Sequence, residues 1–489
     1  MACETSLEHL KVIILAAGKG TRFKSKKPKV LHEILGKPMI FYVSLAAKWT
    51  NPDEVIYVIG HGKEQVKEAI NCDGCKFVEQ EEQLGTGHAV SVAREHIENF
   101  DGLVLILNGD TPLIKGETLK NAVKYMEALI RYEGANASNF RGYRNKDVAG
   151  VVLTARVPNP YGYGRIVKDG SHIIQKIVEE KDATEEEKRI NEINSGIYIF
   201  YAPYLVKVLD RLENNNAQGE YYLTDVVRLL REEGKNVYAL EIPDFTEILG
   251  VNDRWELAKA ENILKTQFMH FWALNGTTFH NPDSVWIEFD VDLSPDVEIF
   301  QNVMLQGNTS IGEGTVVGAN CIIKNSKIGK NVSILPNSVI EDSIIEDNAV
   351  IGPFARLRNN AVIKEGANIG NFVEVKNSTV GENTNAKHLT YLGDAQIGRN
   401  VNIGAGTITC NYDGYKKYKT VIKDNAFIGS DTMLVAPITV GEGAITGSGS
   451  VITKDVPDRA LAIERNQMKI IQGYRDKMEK KHNEEKNEK

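Results

Sequence analysis

Between Ile311 and Thr409 the aliphatic positions recur every six residues, a period that fits neither an amphipathic helix nor an ordinary strand. They fall into rows: Ile311, Val317, Ile323; Ile328, Ile334, Ile340; Ile345, Ile351, Leu357; Ile363, Ile369, Val375; Val380, Ala386, Leu392; and Ile397, Ile403, Thr409. Successive rows start 17 or 18 residues apart. The pattern predicts a β-helix with three short faces per coil, one hexapeptide per face, whose aliphatic residues point into a narrow prism. The Gly, Asn and Asp that often follow them suit the sharp corners. The beat breaks between Thr409 and Ile422 for a Tyr- and Lys-rich excursion (Asn411–Lys419), read as a lid or a contact with a neighbouring subunit. It resumes at Ile428, Leu434, Val440, Thr446 and Ile452. Residues 277–310 keep a looser beat and read as irregular capping coils.

Upstream the pattern changes. Apolar runs at Val12–Leu15, Val55–Ile59, Leu103–Leu107 and Val151–Thr154 alternate with helical periodicity at Met39–Ala47, Glu64–Ile70 and Thr86–His96. That rhythm predicts an α/β domain with a mostly parallel, doubly covered sheet. Ligands in such sheets bind at the carboxyl ends of strands, so the loops after Leu15 and Leu107 are the places to look. Asn252-Asp253 then offers an N-cap, and Trp255, Ala258, Ile263, Leu264, Phe268, Phe271 and Trp272 mark one helical face ending at Asn275-Gly276. A helix of about 22 residues, roughly 33 Å long, can hold two domains apart. The expected division is residues 1–252, a helical connector 253–276, the β-helix 277–464, and a charged tail 465–489 that forms a solvated helix or no structure.

At 489 residues two or more domains are expected. A net charge of −8 argues against non-specific nucleic-acid binding, so a phosphorylated ligand must be held by local cations and backbone amides. No apolar run reaches the ~20 residues of a membrane span and no signal core opens the chain, which points to the cytoplasm. The five cysteines do not suggest a disulfide scaffold. Cys72-Asp73-Gly74-Cys75 invites a redox or zinc reading, but no second ligand pair follows at zinc spacing and the bland reading is preferred.

The loop after the first strand reads Leu15-Ala16-Ala17-Gly18-Lys19-Gly20-Thr21-Arg22-Phe23, followed by Pro28-Lys29. Its glycines let backbone amides close on a phosphate while Arg22 and Lys29 neutralise charge. It is neither a Walker loop nor the dinucleotide fingerprint, since Ile13 and Phe23 stand where glycines are required. A turn with exposed cations would explain the loop taken alone. Gln80 to Gly87 enters a helix where a base edge could be read. Asn108-Gly109-Asp110 puts a carboxylate at the sheet's carboxyl edge, unless Asp110 merely caps the next helix. Tyr161 to Ile166, Glu179 and Asn194-Ser195-Gly196 read as a polar rim for a flat ligand. His61 and His88 lack an obvious partner and read as solvated or core histidines. The segment Ile130–Ala149 reads as a surface loop.

In this order these words resemble the sugar-phosphate nucleotidyltransferases. With the β-helix behind them they resemble the bacterial family that joins a UDP-N-acetylglucosamine pyrophosphorylase to a glucosamine-1-phosphate N-acetyltransferase. LAAGKGTR, PKVLH, EQLGTGHA, GDTPL, GYGRI, NNNAQGEYYLTD, GNFVEVK, HLTYLGD and NIGAGTITCNYDG carry the likeness, from about Lys11 to Arg465. It implies a Rossmann-like nucleotidyltransferase domain, a long connecting helix and a left-handed parallel β-helix. It implies that Leu15, Ala16, Ala17, Gly18, Lys29, Gln80, Gly85, Thr86, Asn108, Gly109 and Asp110 hold the nucleotide side. Gly164, Glu179 and Asn194 would hold the amino sugar, and Asp110 with Asn252 would bind Mg²⁺. A sugar-1-phosphate oxygen attacking the α-phosphorus of UTP needs alignment and charge neutralisation, which Arg22 and Lys29 would supply.

The six-residue register also places side chains. Arg358 follows Leu357 and Lys376 follows Val375, so the two cations stack on one outer face roughly 4.8 Å apart. Such a pair makes sense as a grip on a phosphate, although a solvated face is the alternative. His388 lies at the corner leading into the same face of the next coil, near Tyr391. By resemblance, His388 is the general base that takes a proton from the sugar amine as it attacks the acetyl thioester. Glu374, two residues from Lys376 along the outward face, is expected to orient the imidazole from its other nitrogen. Arg358, Lys376, Tyr391 and Asn402 would hold glucosamine-1-phosphate. Ala405, Asn411, Tyr412, Ser430, Ser448 and Arg465 would line the acetyl-CoA path, with Ser448 standing where the family leads one to expect Ala. Cys410 is not expected to act as a nucleophile. The resemblance also implies a homotrimer with acetyl-CoA sites between subunits. A nucleotidyltransferase with a purely structural β-helix, and a non-enzymatic regulatory scaffold, are the competing readings.

Overall fold

The computed structural model describes residues 9–70, 72, 74–132, 146–169, 172–465 and 467–487. Most of the sequence segment 130–149 therefore lies outside the described residues. The chain divides into two compact units, Met1–Gln267 and Phe268–Lys489.

The first unit holds nine principal strands and six helices among its described residues: β1 Leu10–Ala16, α1 Met39–Lys48, β2 Glu54–Ile59, α2 Lys63–Ile70, β3 Lys76–Glu79, α3 Thr86–Val92, β4 Leu103–Asn108, α4 Gly116–Tyr132, β5 Val148–Arg156, β6 Arg165–Lys168, β7 Ile174–Val178, β8 Glu192–Tyr201, α5 Ala202–Leu209, α6 Asp225–Glu232 and β9 Asn236–Glu241. The main sheet runs β9-β5-β8-β4-β1-β2-β3. β1 is parallel to β2 and β4, β2 to β3, and β9 to β5, while β8 runs against both β4 and β5. The near-continuous apolar runs seen in the sequence have this cause: both faces are covered. Val12 and Ile14 enter one buried cluster and Ile13 the other. The helix expected over Thr86–His96 is α3 followed by a separate 3₁₀ turn, Arg94–His96.

A 21-residue helix, α7, runs Arg254–Leu274. Asp253 caps it, accepting hydrogen bonds from the backbone N–H groups of Trp255 and Glu256 at 2.8 Å each. Its aromatic residues do not all face a core: Trp255 and Phe271 are exposed, whereas Trp272 packs on the apolar cluster of the second unit.

The second unit is a left-handed parallel β-helix. Three columns of inward residues stack in register. One runs Leu293, Ile311, Ile328, Ile345, Ile363, Val380, Ile397, Ile422, Val440. The second runs Ile299, Val317, Ile334, Ile351, Ile369, Ala386, Ile403, Ile428, Thr446. The third contains Leu305, Ile323, Ile340, Leu357, Val375 and Leu392 and continues through Thr409, Leu434 and Ile452. All these positions are buried. Residues 277–310 are not irregular: Phe279 pairs with Ile299, Ile287 with Leu305 and Leu293 with Ile311, in the same columns. The loose beat there comes from polar and aromatic neighbours, not from a broken coil. Left-handed corners fall at Asn320, Asn337, Asn348, Asn383 and Asn400, among others, where Asn tolerates positive φ. Asn302, Asn320 and Asn337 bond to one another across successive coils. The described tail ends in an exposed helix, Tyr474–Asn487.

Candidate active sites

The loop after β1 leaves the sheet at its carboxyl edge and walls a cleft of about 500 Å³. Leu15, Ala16, Ala17, Gly18, Lys29, Gln80, Gly85, Thr86, Asn108, Asp110 and Asn252, placed far apart in the sequence, all line it. Gly109 lies just beneath, its N–H donating to Leu15 O at 2.9 Å. Gly85 has φ +112, and a Cβ there would lie 2.6 Å from Tyr221 O, so only glycine fits that approach. Gln80 is buried, and its amide reaches Gly85 O at 3.2 Å and His88 Nδ1 at 3.0 Å. His88 is thus partnered, contrary to the reading from sequence.

Lys29 is the hub of the cleft. Its ammonium pairs with the Asp110 carboxylate and donates to Asn252 Oδ1 at 3.0 Å. Arg22 donates to the same Asn252 oxygen at 3.0 Å. One carboxylate and one amide oxygen therefore converge on a single cationic point, the hard oxygen donor set that Mg²⁺ accepts when phosphate oxygens complete its shell. Among the described residues no group of three or more His, Cys, Asp or Glu could hold a metal by itself.

A second hollow of about 270 Å³ shares Arg22, Asn108, Asp110 and Asn252 with the first and adds Gly164, Glu179 and Asn194. Burial pushes the Glu179 carboxyl above its usual range, and the Thr224 hydroxyl, 3.5 Å away, opposes the shift. Asn194 donates to the Tyr198 hydroxyl at 2.7 Å and accepts from Gly196 N at 3.1 Å. Tyr198 is buried and stays a phenol, its acidity suppressed by desolvation. Arg165, also buried, pairs with Glu180 at 2.7 Å, and Glu180 accepts from Gly162 N at 3.1 Å, bracing the glycine turn. Sequence reasoning missed Tyr198, Thr224 and Glu180. Thr224 stands inside a stretch that had carried the family likeness, so the signal was present but unassigned.

On the β-helix, Arg358 and Lys376 are register partners on one outer face, as are Glu374 and Tyr391. The strand Asn368–Lys376 and the strand above it, Asn385–Gly393, each run unbroken around the corner, so His388 sits at the leading edge of that same face. Its partner is not Glu374. Asn371 Oδ1 lies 3.0 Å from His388 Nδ1, one coil below. Glu374 is bound instead to Arg358, at 2.8 Å to Nε and 2.7 Å to Nη2. The reason is the left-handed Phe372, φ 57, which resets side-chain direction between Asn371 and Glu374. The Arg358 charge is therefore already balanced. Lys376 instead meets a like charge, Lys417, a residue of the excursion whose ammonium is pushed below its usual range by the hydrogen bond and charge of Lys376, with Asp394 opposing.

The acetyl-CoA candidates fall into two groups. Register steps carry Asn371, His388, Ala405, Ser430 and Ser448 up one corner of the prism. Ser430, Ser448 and Arg465 are exposed, as is Asn402 on the adjoining face. Asn411 and Tyr412 lie at the opposite edge of the Arg358 face. Asn411 is buried there and bonded to Asp394, and the Tyr412 hydroxyl donates to Gly414 O at 2.6 Å. One chain alone does not bring the two groups together. Cys410 is half-buried and its thiol is pushed up by burial, which fits the expectation that it is not a nucleophile.

Residues 12–142 match the MobA-like NTP transferase domain, residues 287–365 the GMPPB C-terminal domain, and residues 419–454 the bacterial transferase hexapeptide (six repeats). The chain is 47% identical over 462 residues to the bifunctional protein GlmU of Streptococcus thermophilus (strain CNRZ 1066), covering 94% of this chain and 96% of that protein. It is 49% identical over 466 residues to the bifunctional protein GlmU of Aquifex aeolicus (strain VF5), covering 95% and 98%. Streptococcus mutans has a relative of the same name, 45% identical over 94% of this chain and 96% of its own. With likeness of this extent running through both units, the chain belongs to the family of bifunctional GlmU proteins.

Proposed function

We infer that the two sites divide the synthesis of UDP-N-acetylglucosamine between them. The β-helix transfers acetyl from acetyl-CoA to glucosamine-1-phosphate, and the α/β unit transfers uridylyl from UTP to the product, releasing pyrophosphate. The observation that carries the reading is the paired architecture: a cationic cleft at the sheet's carboxyl edge centred on Lys29, Asp110 and Asn252, and an imidazole at the edge of a face on which Arg358 and Lys376 stack in register.

In the α/β unit the loop amides from Leu15 to Gly18 and Gln80, Gly85 and Thr86 hold the nucleotide, and Gly164, Glu179 and Asn194 orient the amino sugar. The 1-phosphate oxygen attacks the α-phosphorus in line, and Arg22 and Lys29 stabilise the charge that gathers on the departing pyrophosphate. Asp110 and Asn252 would hold Mg²⁺, which when bound neutralises phosphate charge. In the β-helix, Arg358, Lys376, Tyr391 and Asn402 hold glucosamine-1-phosphate so that its amine meets the thioester carbon. His388 Nε2 takes the amine proton, and the thiolate of coenzyme A leaves and is protonated. Asn371, not Glu374, keeps the other imidazole nitrogen protonated.

The separation of Asn411 and Tyr412 from the Ala405, Ser430 and Ser448 column favours acetyl-CoA binding between copies, in a homotrimer working in the cytoplasm. No helix among the described residues is long and apolar enough to cross a membrane. The test is a pair of separated assays. His388→Ala removes thiol release from acetyl-CoA and keeps UTP-dependent pyrophosphate release, and Asp110→Asn does the reverse. Loss of both activities in either variant overturns the assignment.

A further inference from the structure

We propose that Cys72 and Cys75 form a reversible thiol–disulfide exchange site that reacts with dithiol reductants and small disulfides and whose state is felt at the nucleotide cleft. The two cysteines are bonded, with Cα atoms 5.6 Å apart and a sequence separation of only 3. A cross-link closing so short a loop removes little chain entropy, so it does little for global stability and can open without unfolding the domain. The spacing supplies a second thiol that resolves any mixed disulfide formed on the first.

Both cysteines are half-buried, and the intervening Gly74 is exposed, with no heavy atom beyond its chain neighbours within 4 Å of where its Cβ would be. That side of the turn is open space. The other described cysteines differ: Cys321 is buried with its thiol pushed up to about 11, and Cys410 is shifted the same way. Thiol chemistry among the described residues is therefore concentrated at this one turn.

The turn is also a link. It joins the end of α2 to the start of β3, and Cys75 packs against the apolar cluster of the first unit. β3 lies in register on β2, from Ile56 with Lys76 to Ile59 with Glu79. Glu79 ties the strand back to α2 through Lys63 at 2.6 Å and Lys67 at 3.2 Å. The next residue is Gln80, which bonds Gly85 and His88 in the cleft. Opening the clip releases one end of the α2–β3 pair, and Cys75 stands five positions before Gln80.

The exchange balances without further reagents. A thiolate of the dithiol attacks one sulfur of the Cys72–Cys75 bond, and the other sulfur leaves as thiolate and takes a proton from water. The reagent's second thiolate then attacks the mixed disulfide, leaving two cysteine thiols and an oxidised dithiol. The full chain is equilibrated in glutathione buffers of graded ratio, alkylated, and weighed by mass spectrometry. Cys72 and Cys75 should change together from both alkylated to neither, and Cys75→Ser should carry one glutathione on Cys72 under oxidising conditions. KM for UTP should differ by about fivefold between the two states, the low end of coupling between sites, while thiol release from acetyl-CoA stays constant as the control for folding. The Cys72→Ser/Cys75→Ser variant should lose the redox dependence. Two free thiols under every oxidising ratio, or a bond that persists in excess dithiothreitol, would overturn the exchange site; equal KM values in both states would overturn its link to the cleft.

Discussion

Replacing Asn371 by Ala should slow acetyl transfer about fivefold without weakening the sugar phosphate. Asn371 Oδ1 lies 3.0 Å from His388 Nδ1. An amide carbonyl only accepts, so Nδ1 carries the proton and Nε2 keeps the lone pair that a base needs. His388 is exposed, so water replaces the lost partner, and the net value of a neutral hydrogen bond is about 1 kcal/mol. At about 1.4 kcal/mol per tenfold in rate that is roughly fivefold in kcat. Removing the base itself, in His388→Ala, should cost about 10²–10⁴. The assay is thiol release from acetyl-CoA at saturating glucosamine-1-phosphate, followed across pH. Asn371→Asp sets a carboxylate against the imidazole, favours its protonated form and moves the acidic limb of the kcat/KM profile to higher pH. Glu374→Gln loosens Arg358, so it should raise KM for the sugar phosphate and leave that limb in place. If Glu374→Gln shifts the limb and both Asn371 variants do not, the pairing assigned to His388 is wrong.

Asp110→Asn should cut UTP-dependent pyrophosphate release by at least about 100-fold, as expected for a group that neutralises transferring phosphate, while acetyl transfer keeps its rate; equal loss of both would count against the assignment. Glu179 has a raised pKa from burial, so in the window between the ordinary carboxyl range and its raised value the folded state binds more protons than the unfolded state, and stability falls as pH rises. Glu179→Gln should therefore be more stable than the parent above that window and lose the advantage below it, measured by thermal unfolding at several pH values; an advantage that persists at low pH has another cause. Ile345→Ala, buried midway along the prism, should cost about 2–5 kcal/mol and lower the denaturant midpoint of the β-helix transition, with uridylyl transfer unchanged in native buffer.

The prism was legible because its geometry leaves a mark at every sixth residue: a column such as Ile311, Ile328, Ile345 and Ile363 admits only residues that fill a narrow interior. The α/β sheet was legible for a related reason, since strands covered on both faces must be apolar throughout. The cleft was legible as separate loops, but the pairing of Lys29 with Asp110 and Asn252 joins residues 81 and 223 positions apart, and no local spacing encodes it. Tyr198 and Thr224 were missed because a buried hydroxyl in a strand or at a helix start looks like ordinary packing until its partner is seen. The opening coils were misjudged because aromatic and acidic neighbours mask a regular inward row.

The error at Glu374 has the most to teach about reading such a fold. Successive residues along an extended strand point to opposite sides and residues two apart share one, and by that rule Glu374 and Lys376 share a face, as they do. The rule was carried past its range when Glu374 was assigned to His388, because the left-handed corners at Phe372 and Leu389 interrupt the alternation. Across a corner the only dependable relation is the step to the next coil, and that step takes His388 down to Asn371 and up to Ala405. Applied consistently, it also separates Ala405, Ser430 and Ser448 from Asn411 and Tyr412, which belong to the far edge of the same face. Between the two edges lies the face that carries Arg358 and Lys376, which the proposed function gives to the sugar phosphate. The separation of the two groups in a single chain is what supports the proposal that a second copy supplies one of them.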